Sequence, residues 1–210
     1  MAAAETGRRH TRDAVARAAL KILDDDGLPD LTMRRLAAAL DVQPSALYWH
    51  FPNKQTLLAE LADRIVAQAA QRPGGVDAAS RTRFEASALR DALLAYRDGA
   101  EVVSSTLALG LGSAAARDRL TDAITADGYD SATADRAAST LLHFVIGHVS
   151  HEQQRMQYDS LGVVVADASL SPLNDRDAAA EFLFGVDLII GGLEHRRSSS
   201  TTATSGSEQA

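Results

Sequence analysis

Cysteine is absent from the 210 residues, which excludes disulfides, cysteine-ligated zinc, iron–sulfur clusters and a thiol nucleophile. No apolar run approaches the roughly eighteen residues that a membrane span needs. The opening stretch MAAAETGRRHTRD carries basic residues with no apolar segment behind them, so it does not read as a signal peptide. The chain also lacks a P-loop, a glycine-rich dinucleotide fingerprint, a G-x-S-x-G elbow and an HExxH pair, so no enzyme signature is present. Alternating β-branched residues are scarce. The one strand-like piece, Val163-Val164-Val165, is too short to found a sheet. These absences leave a cytoplasmic, non-enzymatic, cofactor-free protein as the expectation.

Basic charge is also in deficit, with 21 Lys and Arg against 28 Asp and Glu and a formal net charge of −7. Taken alone, that balance argues against a nucleic-acid partner. Its distribution softens the objection, because residues 1–60 are neutral overall and the remaining 150 carry the whole excess of acid. Arg8, Arg9, Arg12, Arg34, Arg35 and Lys54 stand in the neutral part, beside the acidic group Asp24, Asp25, Asp26 and Asp30. Phosphate binding needs a local basic face rather than a basic total.

What is present is helix-forming sequence. Hydrophobic residues make up 46% of the chain, alanine is abundant, and apolar residues recur three and four positions apart, so an all-α fold is expected. A first helix is expected from about Thr11 to Asp26, with Ala14, Ala18, Leu20, Ile22 and Leu23 on its apolar side and Gly27 as its stop. Thr32 caps a short second helix that ends near Leu40. Asp41-Val42-Gln43 forms a turn, and Pro44 opens a third helix that runs to about His50. Pro52 ends it, and Asn53 caps a fourth helix from Lys54 to about Gln71. Pro73-Gly74-Gly75 marks the domain boundary. Further helices are expected near 79–98, 101–109, 113–127, 131–157 and 176–196. A surface loop is expected over Tyr158–Leu173, and a small polar tail, 197–210, is expected to be disordered.

Two short helices joined by a three-residue turn, behind a longer helix, have helix-turn-helix spacing. Leu36, Ala37, Leu40, Val42, Ala46 and Leu47 supply its small core. Gln43, Ser45, Tyr48, Trp49 and His50 are left for the outside, where exposing them is costly unless a partner covers them. Gln43 and Ser45 can reach base edges, Tyr48 and His50 phosphates. Lys54 adds a charge at a helix N-terminus, and Arg34 can reach a guanine or the backbone. The alternative places Trp49 in the core. A protein-binding adaptor using the 44–54 segment is a competing reading.

Residues 11–66 resemble the DNA-binding domain of the tetracycline-repressor (TetR) family, through Leu31-Thr32-Met33-Arg34-Arg35-Leu36-Ala37, Leu47-Tyr48-Trp49-His50-Phe51 and Asn53-Lys54. Tyr96-Arg97-Asp98-Gly99-Ala100-Glu101-Val102, His143-Phe144-Val145-Ile146-Gly147 and the run Phe182–Glu194 resemble the C-terminal domain of the tetracycline-repressor branch. The resemblance implies an N-terminal three-helix helix-turn-helix domain, 8–72, and a larger helical ligand-binding and dimerisation domain, 76–196. It further implies a bacterial, nucleoid-associated homodimer that binds a palindromic double-stranded operator and is released by a small-molecule effector. A ligand-independent or activating regulator stays open.

Carried over residue by residue, the family's DNA contacts fall on Thr32, Arg34, Gln43, Pro44, Ser45, Tyr48, Trp49, His50 and Lys54. Arg8, Arg9, His10 and Arg12 form a basic arm that either adds phosphate or minor-groove contacts or only solubilises the terminus. The family's metal-ligating histidine is replaced by Val103 and the arginine of that region by Leu107, while Thr106 is kept. Other drug-contacting positions hold Ala70, Glu85 and Leu89, and the glutamate reaching in from a second subunit becomes His151. Leu89, Val103, Thr106, Leu107, Leu142, His143 and His151 therefore make the expected effector site. It suits a largely hydrophobic molecule, such as a natural product or antibiotic, rather than a magnesium–tetracycline chelate, because valine offers a hard cation no oxygen. His143, His148, His151 and Glu152 share one helix; hydrogen-bonded histidines near a cavity and a dimer seam are preferred there to a transition-metal site. The apolar stripe Phe182, Leu183, Val186, Ile189, Ile190 and Leu193 is read as the dimer interface, in a four-helix arrangement with the 138–149 stretch.

Overall fold

The computed structural model describes residues 10–71, 78–112, 114–162 and 175–206. Every regular element among them is a helix: α1 (Arg12–Asp26), α2 (Met33–Ala39), α3 (Pro44–Leu47), α4 (Lys54–Ala67), α5 (Ala78–Leu94), α6 (Gly99–Ala108), α7 (Ala114–Ala126), α8 (Ser131–Ser160) and α9 (Asp175–Gly206). Thr32 and Asn53 cap their helices as read from sequence, and Thr11, read as the first residue of α1, caps it instead. The hydroxyl of Thr11 accepts from the Ala14 N–H at 3.1 Å, and that of Thr32 from the Arg35 N–H at 3.1 Å. Asn53 and Thr56 close a reciprocal capping box at the start of α4.

The helices form two compact units. The first joins the chain up to Gln68 with Ala92–Ser113, and the second joins Ala69–Asp91 with Ala114–Ala210. The boundary expected at Pro73-Gly74-Gly75 lies outside the described residues; α6 groups with the first unit. In that unit α6 packs on α4, and Val15, Leu23, Leu31, Leu36, Leu47, Phe51, Leu61, Ile65, Leu93 and Val102 are buried. Asp98 links the loop after α1 to the start of α6. Its backbone is left-handed at φ 56, and its carboxylate accepts from the Leu28 N–H at 2.8 Å rather than capping its own helix. Gly27, at φ 89 and ψ 172, lies against that carboxylate, because a Cβ there would stand 2.9 Å from Asp98 Oδ2.

The second unit is built on α8, with α7 and α9 packed on it. Ala134, Ala138, Leu141, Leu142, Val145, Ile146 and Val149 bury one face of α8, the wide apolar stripe expected of a core helix. Two ion pairs tie the second unit internally, Arg119 to Glu85 at 2.7 Å and Arg90 to Glu152 at 2.7 Å.

Several local expectations shift. The buried stripe of α1 is Val15, Ala16, Ala19, Ile22 and Leu23, with Ala14, Ala18 and Leu20 only half-buried; alanine-rich sequence leaves the rotation of such a helix weakly marked. Ala46 is exposed, and Leu40 and Val42 are half-buried, so Leu36, Ala37 and Leu47 carry the helix-turn-helix core. α3 is a single turn of helix continued by turns to His50, α4 ends at Ala67 before Gln71, and α8 runs on to Ser160. The rest of the expected 158–173 loop, with Val163–Val165, lies outside the described residues from 163 onward. α9 continues to Gly206 through the small polar stretch read as an unstructured tail, since elongating an existing helix avoids the cost of nucleation.

Candidate nucleic-acid interface

The turn between α2 and α3 is fixed by backbone bonds. The Asp41 N–H donates to the Ala38 carbonyl at 3.2 Å and the Val42 N–H to the Ala37 carbonyl at 3.0 Å, with Asp41 left-handed at φ 53. Pro44 follows at the start of α3, where its missing N–H has no partner to lose. Leu47 is buried at the centre of this turn, and its carbonyl accepts from both the His50 and the Phe51 N–H at 2.9 Å. Phe51 is wholly buried, and that anchors the end of the segment.

Between these two anchors the side chains face solvent. Trp49 is 89% exposed and Tyr48 49% exposed, which settles Trp49 as a surface residue rather than a core one. Gln43, Pro44 and Ser45 are exposed, and His50 is half-buried. Tyr48 and Trp49 form an exposed aromatic pair, the kind of apolar patch that marks interaction sites. Thr32 is also exposed, its hydroxyl engaged in capping α2.

The local charges sort themselves. Arg35 pairs with Asp26 and Asp30 at 2.7 Å each, and Lys21 pairs with Asp25 at 2.8 Å. Much of the acidic cluster is thereby answered by neighbouring bases, and Arg35 is spent within the unit. Arg34 and Lys54 have no acidic partner among the described residues and remain cations at the starts of α2 and α4. Of the expected basic arm, Arg8 and Arg9 lie outside the described residues. His10 Nε2 is 3.0 Å from the Leu40 carbonyl, and Arg12 pairs with Glu60 at 2.9 Å and donates to the His50 carbonyl at 2.9 Å. Arg12 is thus engaged inside the unit, which sequence alone did not show because Glu60 lies 48 positions away.

The expected effector residues divide between the two units. Val103 and Thr106 are buried in the first, with the Thr106 hydroxyl donating to the Val103 carbonyl at 2.9 Å, and Leu107 is half-buried. Leu89 and Leu142 are buried in the second, whereas His143 and His151 are exposed on α8. Glu85 is occupied by Arg119. His148 packs edge-on against Phe182 at 5.4 Å and beside Phe144 at 5.7 Å, and among the described residues no three His, Asp or Glu side chains are grouped to hold a metal ion.

The interface stripe on α9 needs correction. Phe182, Val186 and Ile190 are 1%, 0% and 6% exposed within one chain, and Ile189 and Leu193 are half-buried. The first three are already buried within the protomer. The solvent face of α9 carries Leu183, Phe184 and Leu188, the last two 66% and 62% exposed. α8 offers a matching exposed row, Thr140, His143, Gly147 and His151. Of this exposed row only Leu183 stood in the expected stripe, because α9 is apolar on two sides and the 3/4 spacing fits either.

The profile of "Bacterial regulatory proteins, tetR family" matches residues 16–61, and that of "Tetracyclin repressor-like, C-terminal domain" matches residues 73–197. The chain is 37% identical to the class C tetracycline repressor protein of Escherichia coli over 89% of this chain and 91% of that one. Among solved structures it is similar to BioQ bound to its natural double-stranded DNA operator, at 39% identity and a TM-score of 0.73, covering 88% of this chain and 98% of that one. It is also similar to the Q116A variant of the TetR protein of Acinetobacter baumannii AYE in complex with minocycline, at 30% identity and a TM-score of 0.73, covering 90% and 98%.

Proposed function

The chain belongs to the tetR family of bacterial regulatory proteins, and from that premise we propose that it is a homodimeric repressor of transcription, released from a palindromic operator by a largely hydrophobic effector. Residues 8–72 form the DNA-binding domain and 76–196 the effector-binding and dimerisation domain. The observation that carries the proposal is the exposed pair Tyr48 and Trp49 on the tip of a helix-turn-helix. In the major groove Gln43, Ser45 and Arg34 read base edges, Trp49 and Pro44 give apolar contact, and Thr32, Tyr48, His50 and Lys54 hold the backbone. Trp49 is the sole tryptophan, so its emission reports the interface directly. Duplex DNA carrying the operator should quench it, and loss of binding in Arg34→Ala/Tyr48→Ala should abolish the quench. An unchanged Trp49 signal on a bound duplex would contradict the assignment.

Dimerisation uses the exposed rows of α8 and α9, centred on Phe184 and Leu188 with His143, Gly147 and His151. A Cβ at Gly147, Gly191 or Gly192 would meet nothing within 4 Å in one chain, which leaves room for a second helix to approach.

Each unit contributes candidate effector contacts: Val103, Thr106 and Leu107 in the first, and Leu89, Leu142, His143 and His151 in the second. A magnesium–tetracycline chelate does not fit the residues present: Val103, at the position of the family's metal-ligating histidine, is apolar and fully buried and offers a hard cation no oxygen. Titrating tetracycline with magnesium should leave DNA binding intact; release at low concentration would refute this point.

A further inference from the structure

On the reading that the α2–α3 tip binds DNA, we propose that Arg12 is a positioning residue for recognition, a clamp on the turns that follow α3 rather than a phosphate contact. α3 is a single turn without a side-chain cap at its start, too short to hold its own geometry. The carbonyl of His50, at the end of the exposed segment, needs a donor. Arg12 supplies it from α1. Its Nη1 donates to the His50 carbonyl at 2.9 Å, and its Nε and Nη2 donate to Glu60 Oε2 on α4 at 3.1 and 2.9 Å. Its guanidinium lies 4.4 Å from the centre of the buried Phe51 ring.

Glu60 is itself held from the far side. Its Oε1 accepts from Arg64 Nε and Nη2 at 2.9 and 2.8 Å, and Arg64 Nη1 donates to Asp13 at 2.8 Å. A continuous chain of charge-assisted bonds therefore runs from Asp13 through Arg64, Glu60 and Arg12 to the backbone that carries Trp49. The planar fork of arginine makes three of these bonds at once, which a lysine cannot reproduce. These bonds occupy three of the five guanidinium N–H groups and fix the plane of the side chain between α4 and the His50 carbonyl.

The test uses the full-length protein and a duplex recovered by the wild type from random DNA. Arg12→Ala and Arg12→Lys should each weaken binding about tenfold, the scale on which misplaced base contacts act. Both should leave the slope of log affinity against log salt unchanged, whereas Lys54→Ala should lower that slope by about 1. In the free protein both Arg12 variants, and Glu60→Gln, should speed the anisotropy decay of Trp49. A slope lowered by about 1 in Arg12→Ala, full activity in Arg12→Lys, or unaltered Trp49 anisotropy in all three would each overturn the clamp. Should the wild type recover no duplex, the DNA-binding reading fails, and Trp49 anisotropy alone still decides the clamp.

Discussion

Truncating Phe184 to alanine should dissolve the dimer while sparing the protomer. Its ring is 66% exposed in one chain, about 130 Å² of a side chain of about 200 Å². Alanine leaves about 100 Å² of that area unavailable for burial. At about 25 cal/mol per Å², the loss is about 2.5 kcal/mol per copy. A two-fold interface contains the residue twice, so the dimer loses about 5 kcal/mol, between three and four decades in Kd. Val186→Ala is the contrasting variant: Val186 is 0% exposed, so its truncation should cost about 2 kcal/mol of folding stability and leave association nearly unchanged. Sedimentation velocity over a concentration series, beside thermal melting, separates the two. A Phe184→Ala protein that associates as tightly as wild type would refute the reasoning. So would a Val186→Ala protein that dissociates without losing stability.

Other consequences follow from single residues. Gly27 occupies a backbone region open essentially to glycine alone, and a Cβ there would stand 2.9 Å from Asp98 Oδ2. Gly27→Ala should therefore cost about 1–3 kcal/mol in urea denaturation; a neutral result would contradict the local geometry. A Cβ at Gly185 would collide with the Phe144 ring, and Phe144 is backed by Phe182 at 5.7 Å. Gly185→Ala should destabilise by about 1–3 kcal/mol, with circular dichroism melting as the check and an unchanged midpoint as the refutation. Burial alone would raise the Glu60 carboxyl, but hydrogen bonds from Arg64 and Arg12 outweigh it and hold the group below 4.5. A carboxyl depressed on folding adds stability that is full above its unfolded value near 4.5 and disappears as pH falls through the lower folded value. Melting followed downward from neutral pH should show that acid loss, and Glu60→Gln should flatten it; identical acid limbs in the two proteins would contradict the sign.

The helix-turn-helix was legible in the sequence because its signals are local. Thr32 and Asn53 cap, Pro44 starts a helix, and Leu47-Tyr48-Trp49-His50-Phe51 cannot be buried whole. Each of those features needs only a few neighbouring residues to be read. What was not legible depends on distant pairs or on helix rotation. Arg12 reads as a free arm residue until Glu60 is brought beside it, and Arg35 reads as a candidate phosphate cation until Asp26 and Asp30 claim it. On α9 two apolar rows alternate, so spacing alone could not say that Phe182, Val186 and Ile190 turn inward while Phe184 and Leu188 turn outward. The return of α6 to the first unit is a topological fact with no mark in composition.

Selection of binding sites from random duplex DNA, with Arg34→Ala/Tyr48→Ala as control, tests the central claim most directly. Recovery of a palindrome with half-sites about one helical turn apart, lost by the control, is the predicted result. Recovery of DNA without sequence preference, or equal recovery by the control, would contradict the assignment of the Tyr48–Trp49 tip as a recognition surface.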